Sequence, residues 1–255
     1  MCGFVGYVND TPDKSVNEKI IKDMADRIRH RGPDQDDYYV DSSVSLGFRR
    51  LSIIDLDGGS QPILNEDGTK VLVFNGEIYN YQPIREELIK KGHVFRTKTD
   101  SEVLLHGYEE YGCELLNKLR GMFAFVIWDS TEKKLFGARD IFGIKPFFYY
   151  LKNGNFLFGS EIKSFLSNPL FEKELNEERL PDYLCFEYIP RLCSKTYTRW
   201  SPAVISLSRT ANLKPKDISL PNIRLTIQSP LNIGKTLLTR HSRARLWHTV
   251  FQTLK

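Results

Sequence analysis

The chain has 255 residues, 41% of them hydrophobic and 27% charged, the balance of an ordinary globular protein with room for one or two cores. No apolar run approaches the roughly 18 residues a membrane helix needs, and four cysteines (Cys2, Cys113, Cys185, Cys193) are too few for a disulfide scaffold and lack paired metal spacing, so no membrane or metal partner is expected. The net charge of +4 is unevenly placed: residues 191–255 hold 12 Lys+Arg against one acid, Asp217, a net of +11, which leaves −7 on residues 1–190 and places a boundary near Pro190.

The N-terminus MCGFVGYVND has neither a basic flank nor a long apolar core, so a signal peptide is not expected, and reduced thiols point to the cytoplasm. Phe4, Val5 and Val8 open a strand; Val16, Ile20, Met24 and Ile28 recur at helical spacing and stop before Gly32-Pro33. Strands follow over Val44–Phe48 and Val71–Phe74. A helix is expected over Gln82–Lys91, with Pro83 in its first turn and Gly92 after its end, and another over Ser101–Tyr111, ended by Gly112. Short β runs at Met122–Trp128, Lys134–Ala138, Phe147–Leu151 and Phe156–Phe158 read as hairpins or a meander, and a helix at Glu161–Leu166 follows. Antiparallel strands interleaved with helices imply a layered α+β domain. After Pro190 no helical or strand template stands out, although Trp200, Val204, Ile205, Leu207, Leu237, Leu238 and Trp247 are apolar.

Cys2 directly follows the initiator methionine. Removal of Met1 would place a thiol and a free α-amine on one residue, and an amine with an ordinary pKa of about 7.7–8.0 is a competent base near neutrality. Such a residue is a self-contained nucleophile. The plainer alternative is a buried cysteine with no chemistry.

Six further motifs follow in order: R-H-R-G-P-D (Arg29–Asp34), F-R-R-L-S-I-I-D (Phe48–Asp55), F-N-G-E-I-Y-N-Y (Phe74–Tyr81), T-D-S-E (Thr99–Glu102), L-R-G-M-F-A-F (Leu119–Phe125) and R-D-x-F-G-I-K-P (Arg139–Pro146). Behind M-C-G they resemble the class II glutamine amidotransferase domain of asparagine synthetases over residues 2–190. The resemblance implies an N-terminal-nucleophile hydrolase fold, an αββα sandwich of two antiparallel sheets between helical layers. It also implies hydrolysis of glutamine to glutamate and ammonia through a Cys2 thioester, with no cofactor for that step.

With that resemblance, Asn75 and Gly76 suit an oxyanion hole, one side-chain NH₂ and one backbone N–H aimed at one oxygen; an N-G hairpin turn is the alternative. Arg50, directly before L-S-I in the family pattern, is assigned to the α-carboxylate of glutamine in preference to Arg49. Asp100 suits the α-ammonium, and equally suits a helix N-cap. The resemblance adds Ile53, through its backbone, and Glu77 beside the oxyanion hole. Arg139, Asp140 and His30 read as structural.

Asparagine synthetases carry a second domain marked by a Ser-Gly-Gly-x-Asp-Ser pyrophosphate loop, which this sequence lacks. Leu231–Leu237 contains G-K-T, but a P-loop needs glycine where Ser229 stands. ATP and Mg are therefore expected only with a separate synthetase subunit as partner. Residues 191–255 are expected to be a tail without packed elements, either the product of a frameshift or a basic extension for an anionic partner. Nucleic acid is not the expected partner, since the aromatics of the tail are scattered. The rival readings are an inactive fragment of a synthetase, a glutaminase serving another acceptor, and the glutaminase of glucosamine-6-phosphate synthase, whose residues around its Arg and after its N-G differ.

Overall fold

The computed structural model describes residues 1–8, 13–51, 60–153, 155–174, 177 and 180–186, and the backbone of four strands between 197 and 228. Two antiparallel sheets stack face to face. The first has the order β10 (Tyr197–Arg199), β8 (Phe148–Lys152), β9 (Asn155–Gly159), β1 (Gly3–Val8), β3 (Val44–Arg50), β2 (Gln35–Val40). The second runs β12 (Ile218–Leu220), β13 (Ile223–Gln228), β11 (Val204–Ser208), β7 (Lys134–Arg139), β6 (Gly121–Asp129), β5 (Lys70–Ile78), β4 (Ile63–Leu64).

The period-two alternation of each strand sorts its side chains between two cores. Phe4 of β1 and Val44, Leu46 and Phe48 of β3 meet Val71 and Val73 of β5 and Ala124, Val126 and Trp128 of β6 in the layer between the sheets. The intervening Val5 and Tyr7 face outward and are covered by Ile21, Met24 and Ala25 of α1 (Lys14–Asp26), whose N-terminus is capped by the Asp13 carboxylate, and by Ile28 just after that helix. On the other outer face Leu72, Phe74, Phe125, Ile127 and Phe136 pack under Leu104, Leu105 and Tyr108 of α3 (Asp100–Tyr111). Beside it lies α2 (Tyr81–Lys90), which buries Ile84 and Leu88 against Val103. The layers are helix, sheet, sheet, helix, as the α+β sandwich expectation requires. Two short helices complete the set, α4 (Leu115–Lys118) and α5 (Leu180–Phe186).

The structure departs from the sequence reading in several places, the short helices α4 and α5 among them. The strands β2 and β4 were not expected; β2, Q-D-D-Y-Y-V, is an exposed edge with no apolar alternation to mark it. The expected helix over Glu161–Leu166 is a 3-10 helix, Ile162–Ser167. After Pro190, where no element was expected, β10 pairs with β8 and β11 pairs with β7 from Val204↔Ala138 to Ser208↔Lys134. The alternation Ile223, Leu225, Ile227 against Arg224, Thr226, Gln228 is the signal for β13, a short one of six residues.

Candidate active site

The pleat decides which of the expected residues face the layer between the sheets. Gly3 pairs with Arg49 and Phe4 with Phe48, so Cys2 and Arg50 follow on neighbouring strands. Both continue the inner face begun by Phe4 and Phe48, and Cys2 packs against that core. Arg49 falls on the opposite face. There it holds Asp26 of α1 and lies 3.1 Å from Asp36 of β2, with its Nε directed to the Ala25 carbonyl. Arg50, 6% exposed, donates instead to the Gln35 side chain at 2.9 Å. The two adjacent arginines thus have different work: one ties sheet to helix, the other faces the interior.

Cys2 is held by main chain and by one arginine. The Leu51 N–H donates to its sulfur at 3.4 Å, and the thiol lies 3.7 Å from the Leu51 carbonyl. Arg31 Nε donates to the Cys2 carbonyl at 3.0 Å while its Nη1 bonds Glu161, also at 3.0 Å. The sequence reading did not single out Arg31, though R-H-R-G-P-D contained it. The motif curls the chain so that Gly32 lies directly on the backbone of Arg49 and Arg50, where a Cβ would collide, and Asp34 N–H bonds the Arg50 carbonyl at 3.2 Å. His30 in the same turn is half-exposed and bonds Glu161 at 2.8 Å, a structural role.

Asn75, Gly76 and Glu77 lie on β5, opposite Ala124, Phe123 and Met122 of β6. This is pairing within a strand, so the hairpin-turn alternative for N-G does not hold. Asn75 follows Val71 and Val73 onto the inner face and is 3% exposed. Its Nδ2 is buried and has no hydrogen-bond partner among the described residues. An unmet buried donor is costly, on the order of 1–3 kcal/mol, and such atoms call for a reason. At Gly76 a Cβ would strike the Met122 carbonyl, so β6 approaches closely there. Glu77 is exposed.

Asp100 is the first residue of α3. Its carboxylate accepts the Ile78 N–H at 2.8 Å, two residues beyond Gly76, which joins it to the β5 group. Burial pushes its pKa up, and the nearby Glu77 charge adds to that; the N–H groups of Ile78, Asp100 and Ser101 pull the other way. The N-cap position itself is Thr99; Asp100 is the first helical residue, and its carboxylate takes N–H groups of both the helix start and β5. Ile53 falls within 52–59, outside the described residues. Strands β1 and β3 pack across the layer on β5, so the Cys2–Arg50 pair and the Asn75–Asp100 group sit on facing sheets. Arg139 and Asp140 are buried and tie down the turn after β7: Arg139 donates to the Gly143 and Lys145 carbonyls, and Asp140 accepts from Ile144 and Lys145.

Residues 1–210 match the family described as glutamine amidotransferase domain. Asparagine synthetase [glutamine-hydrolyzing] 1 of Bacillus subtilis (strain 168) is 49% identical over 194 residues, covering 74% of this chain and 30% of that protein. A probable asparagine synthetase [glutamine-hydrolyzing] of Dictyostelium discoideum is 40% identical over 166 residues, 64% of this chain and 28% of the other. The chain thus spans under a third of the length of these relatives. Among solved structures, glutamine phosphoribosylpyrophosphate amidotransferase from B. subtilis aligns over 90% of this chain and 50% of its own, at TM-score 0.60 and 16% identity, which establishes a shared fold.

Proposed function

The chain belongs to the glutamine amidotransferase domain family, and from that premise we propose that it hydrolyses the side-chain amide of glutamine with Cys2 as nucleophile. Met1, 56% exposed, is open to removal. The freed α-amine takes the thiol proton, and Sγ attacks the amide carbon. Asn75 Nδ2 and the Gly76 N–H receive the developing oxyanion; ammonia leaves with a proton, and water hydrolyses the thioester to glutamate. Arg50 binds the α-carboxylate and Asp100 the α-ammonium of glutamine. Glu77 stands beside the oxyanion hole, and the Ile53 backbone adds a contact.

The observation that carries this reading is the Asn75 amide: a buried donor, facing the layer that Cys2 also faces, with no partner among the described residues. A purely structural asparagine at such a site would be bonded. The hydrolysis needs no cofactor. The test is release of glutamate and ammonia from glutamine by the purified chain, with Asn75→Ala as the discriminating variant.

The finer reading follows the relatives. The ammonia is used by a synthetase subunit or domain that brings ATP and Mg to aspartate, in the cytoplasm. Exposed Ile141, Phe142 and Ile144, on the turn after β7, offer an apolar surface to it. Residues 2–190 are the glutaminase unit, and no step is assigned to 191–255. Among the described residues no helix is long and apolar enough to cross a membrane.

A further inference from the structure

On the outer side of the second sheet, away from the layer that holds Cys2, two imidazoles converge on one carboxylate oxygen. His106 and Glu109 share a face of α3, three residues apart, and His93 follows the Gly92 turn after α2. His106 Nδ1 lies 2.9 Å and His93 Nδ1 3.7 Å from Glu109 Oε2. The ligand atoms of the three residues all fall within 4.8 Å of one another. Ligands on a tetrahedral zinc, with bonds of about 2.0–2.1 Å, sit about 3.3 Å apart, between the two distances seen here.

The surroundings match what a metal demands of its ligands' far atoms. A ligating histidine turns its other nitrogen to a carboxylate, which fixes its tautomer and orientation. His93 Nε2 faces Glu110 at 3.5 Å. His106 Nε2 faces Glu102 at 3.7 Å and Glu66 at 3.8 Å; it is buried and has no hydrogen-bond partner among the described residues. The remaining oxygen of Glu109 is occupied by Asn65 Nδ2 at 2.7 Å, which leaves Oε2 for the imidazoles. The His106 side chain is 2% exposed, whereas His93 and Glu109 are 18% and 17% exposed, so the cluster reaches solvent on the His93–Glu109 side.

We propose that His93, His106 and Glu109 form a structural binding site for a divalent transition metal, zinc above others. Two imidazoles, each giving up any proton on its ligating nitrogen as the ion binds, and one carboxylate are a borderline donor set suited to that ion. A protonated His106 clasped by carboxylates would explain Glu102, Glu66 and Glu109. It would not explain a second imidazole turned Nδ1-first toward the same Glu109 oxygen. The site braces the glutamine side of the molecule: Glu102, behind His106, accepts the Arg96 and Thr97 N–H groups at 2.8 Å each, in the turn that leads into Asp100.

The test is zinc uptake by the metal-stripped full chain in a Cys2→Ser background, which removes the most reactive thiol. Equilibrium dialysis is expected to give one Zn²⁺ per chain, with a rise in Tm. His93→Ala and Glu109→Gln, both at partly exposed positions, are each expected to lower affinity by about tenfold or more while keeping the metal-free fold. Substituted Co²⁺ is expected to show a tetrahedral spectrum without a thiolate charge-transfer band. No bound zinc, zinc retained equally by His93→Ala, or a thiolate band would each overturn the proposal. None of these readouts depends on glutaminase activity, so they stand or fall separately from the function proposed above.

Discussion

Arg31 Nε donates to the backbone carbonyl of Cys2 at 3.0 Å, reaching across from the turn after α1 to the first residue before β1. This bond fixes where the chain begins, and with it the position of any amine and thiol that Cys2 presents. Loss of the bond should displace both without removing either. Arg31→Gln should therefore lower kcat by about tenfold to a hundredfold, the cost of misplacing reacting groups by an ångström or so. Far-UV circular dichroism should be unchanged. A variant with wild-type kcat would show that Arg31 serves the fold alone.

Asn75→Ala should lower kcat by about 10²–10³, as loss of one oxyanion donor does, with KM little changed. Because Nδ2 bonds nothing among the described residues, the fold loses no hydrogen bond from that atom. Thermal unfolding should show a Tm near wild type. A variant that loses stability and keeps kcat would move Asn75 from chemistry to structure.

The two neighbouring arginines separate cleanly. Arg50→Ala should raise KM for glutamine strongly, since truncating one side of a buried, hydrogen-bonded charge pair costs on the order of 2–5 kcal/mol. Arg49→Ala should instead lower Tm, because it cuts the contacts to Asp26 and Asp36 that hold α1 and β2 to β3. Steady-state kinetics and thermal melts on both variants decide it; a large KM effect from Arg49→Ala alone would reverse the assignment.

Burial raises the pKa of Asp100, so the folded chain holds that proton more tightly than the unfolded one. The sign follows from linkage: the stability this group contributes is full below its unfolded pKa and is lost as pH rises through the folded pKa. Ligand binding runs the other way, since the α-ammonium of glutamine needs the carboxylate charged. KM should rise as pH falls through the folded pKa, above the usual aspartate range. Asp100→Asn should remove that pH dependence, raise KM at neutral pH, and leave stability there undiminished. A KM profile in Asp100→Asn with the same acid limb as wild type would contradict this.

The strands after Pro190 bear on the proposed limits of the glutaminase unit. All the expected site residues lie before position 101, but β11 covers the edge of β7. A chain ended at Pro190 should keep glutaminase activity and expose that edge, which invites self-association. Light scattering and glutamate release on the shortened chain test both halves of this statement. Loss of activity in a monomeric, folded truncation would show that the tail serves the site.

Much of this was legible beforehand because the relevant patterns are local. Phe4, Phe48 and Val73 lie in short apolar runs that announce their strands, and Cys2, Asn75 and Arg50 are marked by their motifs. The opposed faces of Arg49 and Arg50 also follow from the pleat once β3 is placed. What escaped was relational. Arg31 touches Cys2 only because Gly32 lets the turn sit on β3, a tertiary fact. His106 and Glu109 stand on α3 and His93 in the loop after α2, at spacings that match no metal motif. Strand β2 carries too little apolar residue to signal itself, and Ile223–Gln228 is too short a pattern to stand out in a basic tail.

The central claim is that Cys2 attacks glutamine. It is tested most directly by mixing the chain with glutamine, quenching with acid, and locating any covalent adduct by peptide mass mapping, alongside glutamate release. The account predicts Met1 removed, a glutamyl group on Cys2 in the active protein, and neither adduct nor glutamate with Cys2→Ala of unchanged fold. Glutamate released by Cys2→Ala at the wild-type rate, or full activity from a chain that retains Met1, would contradict it.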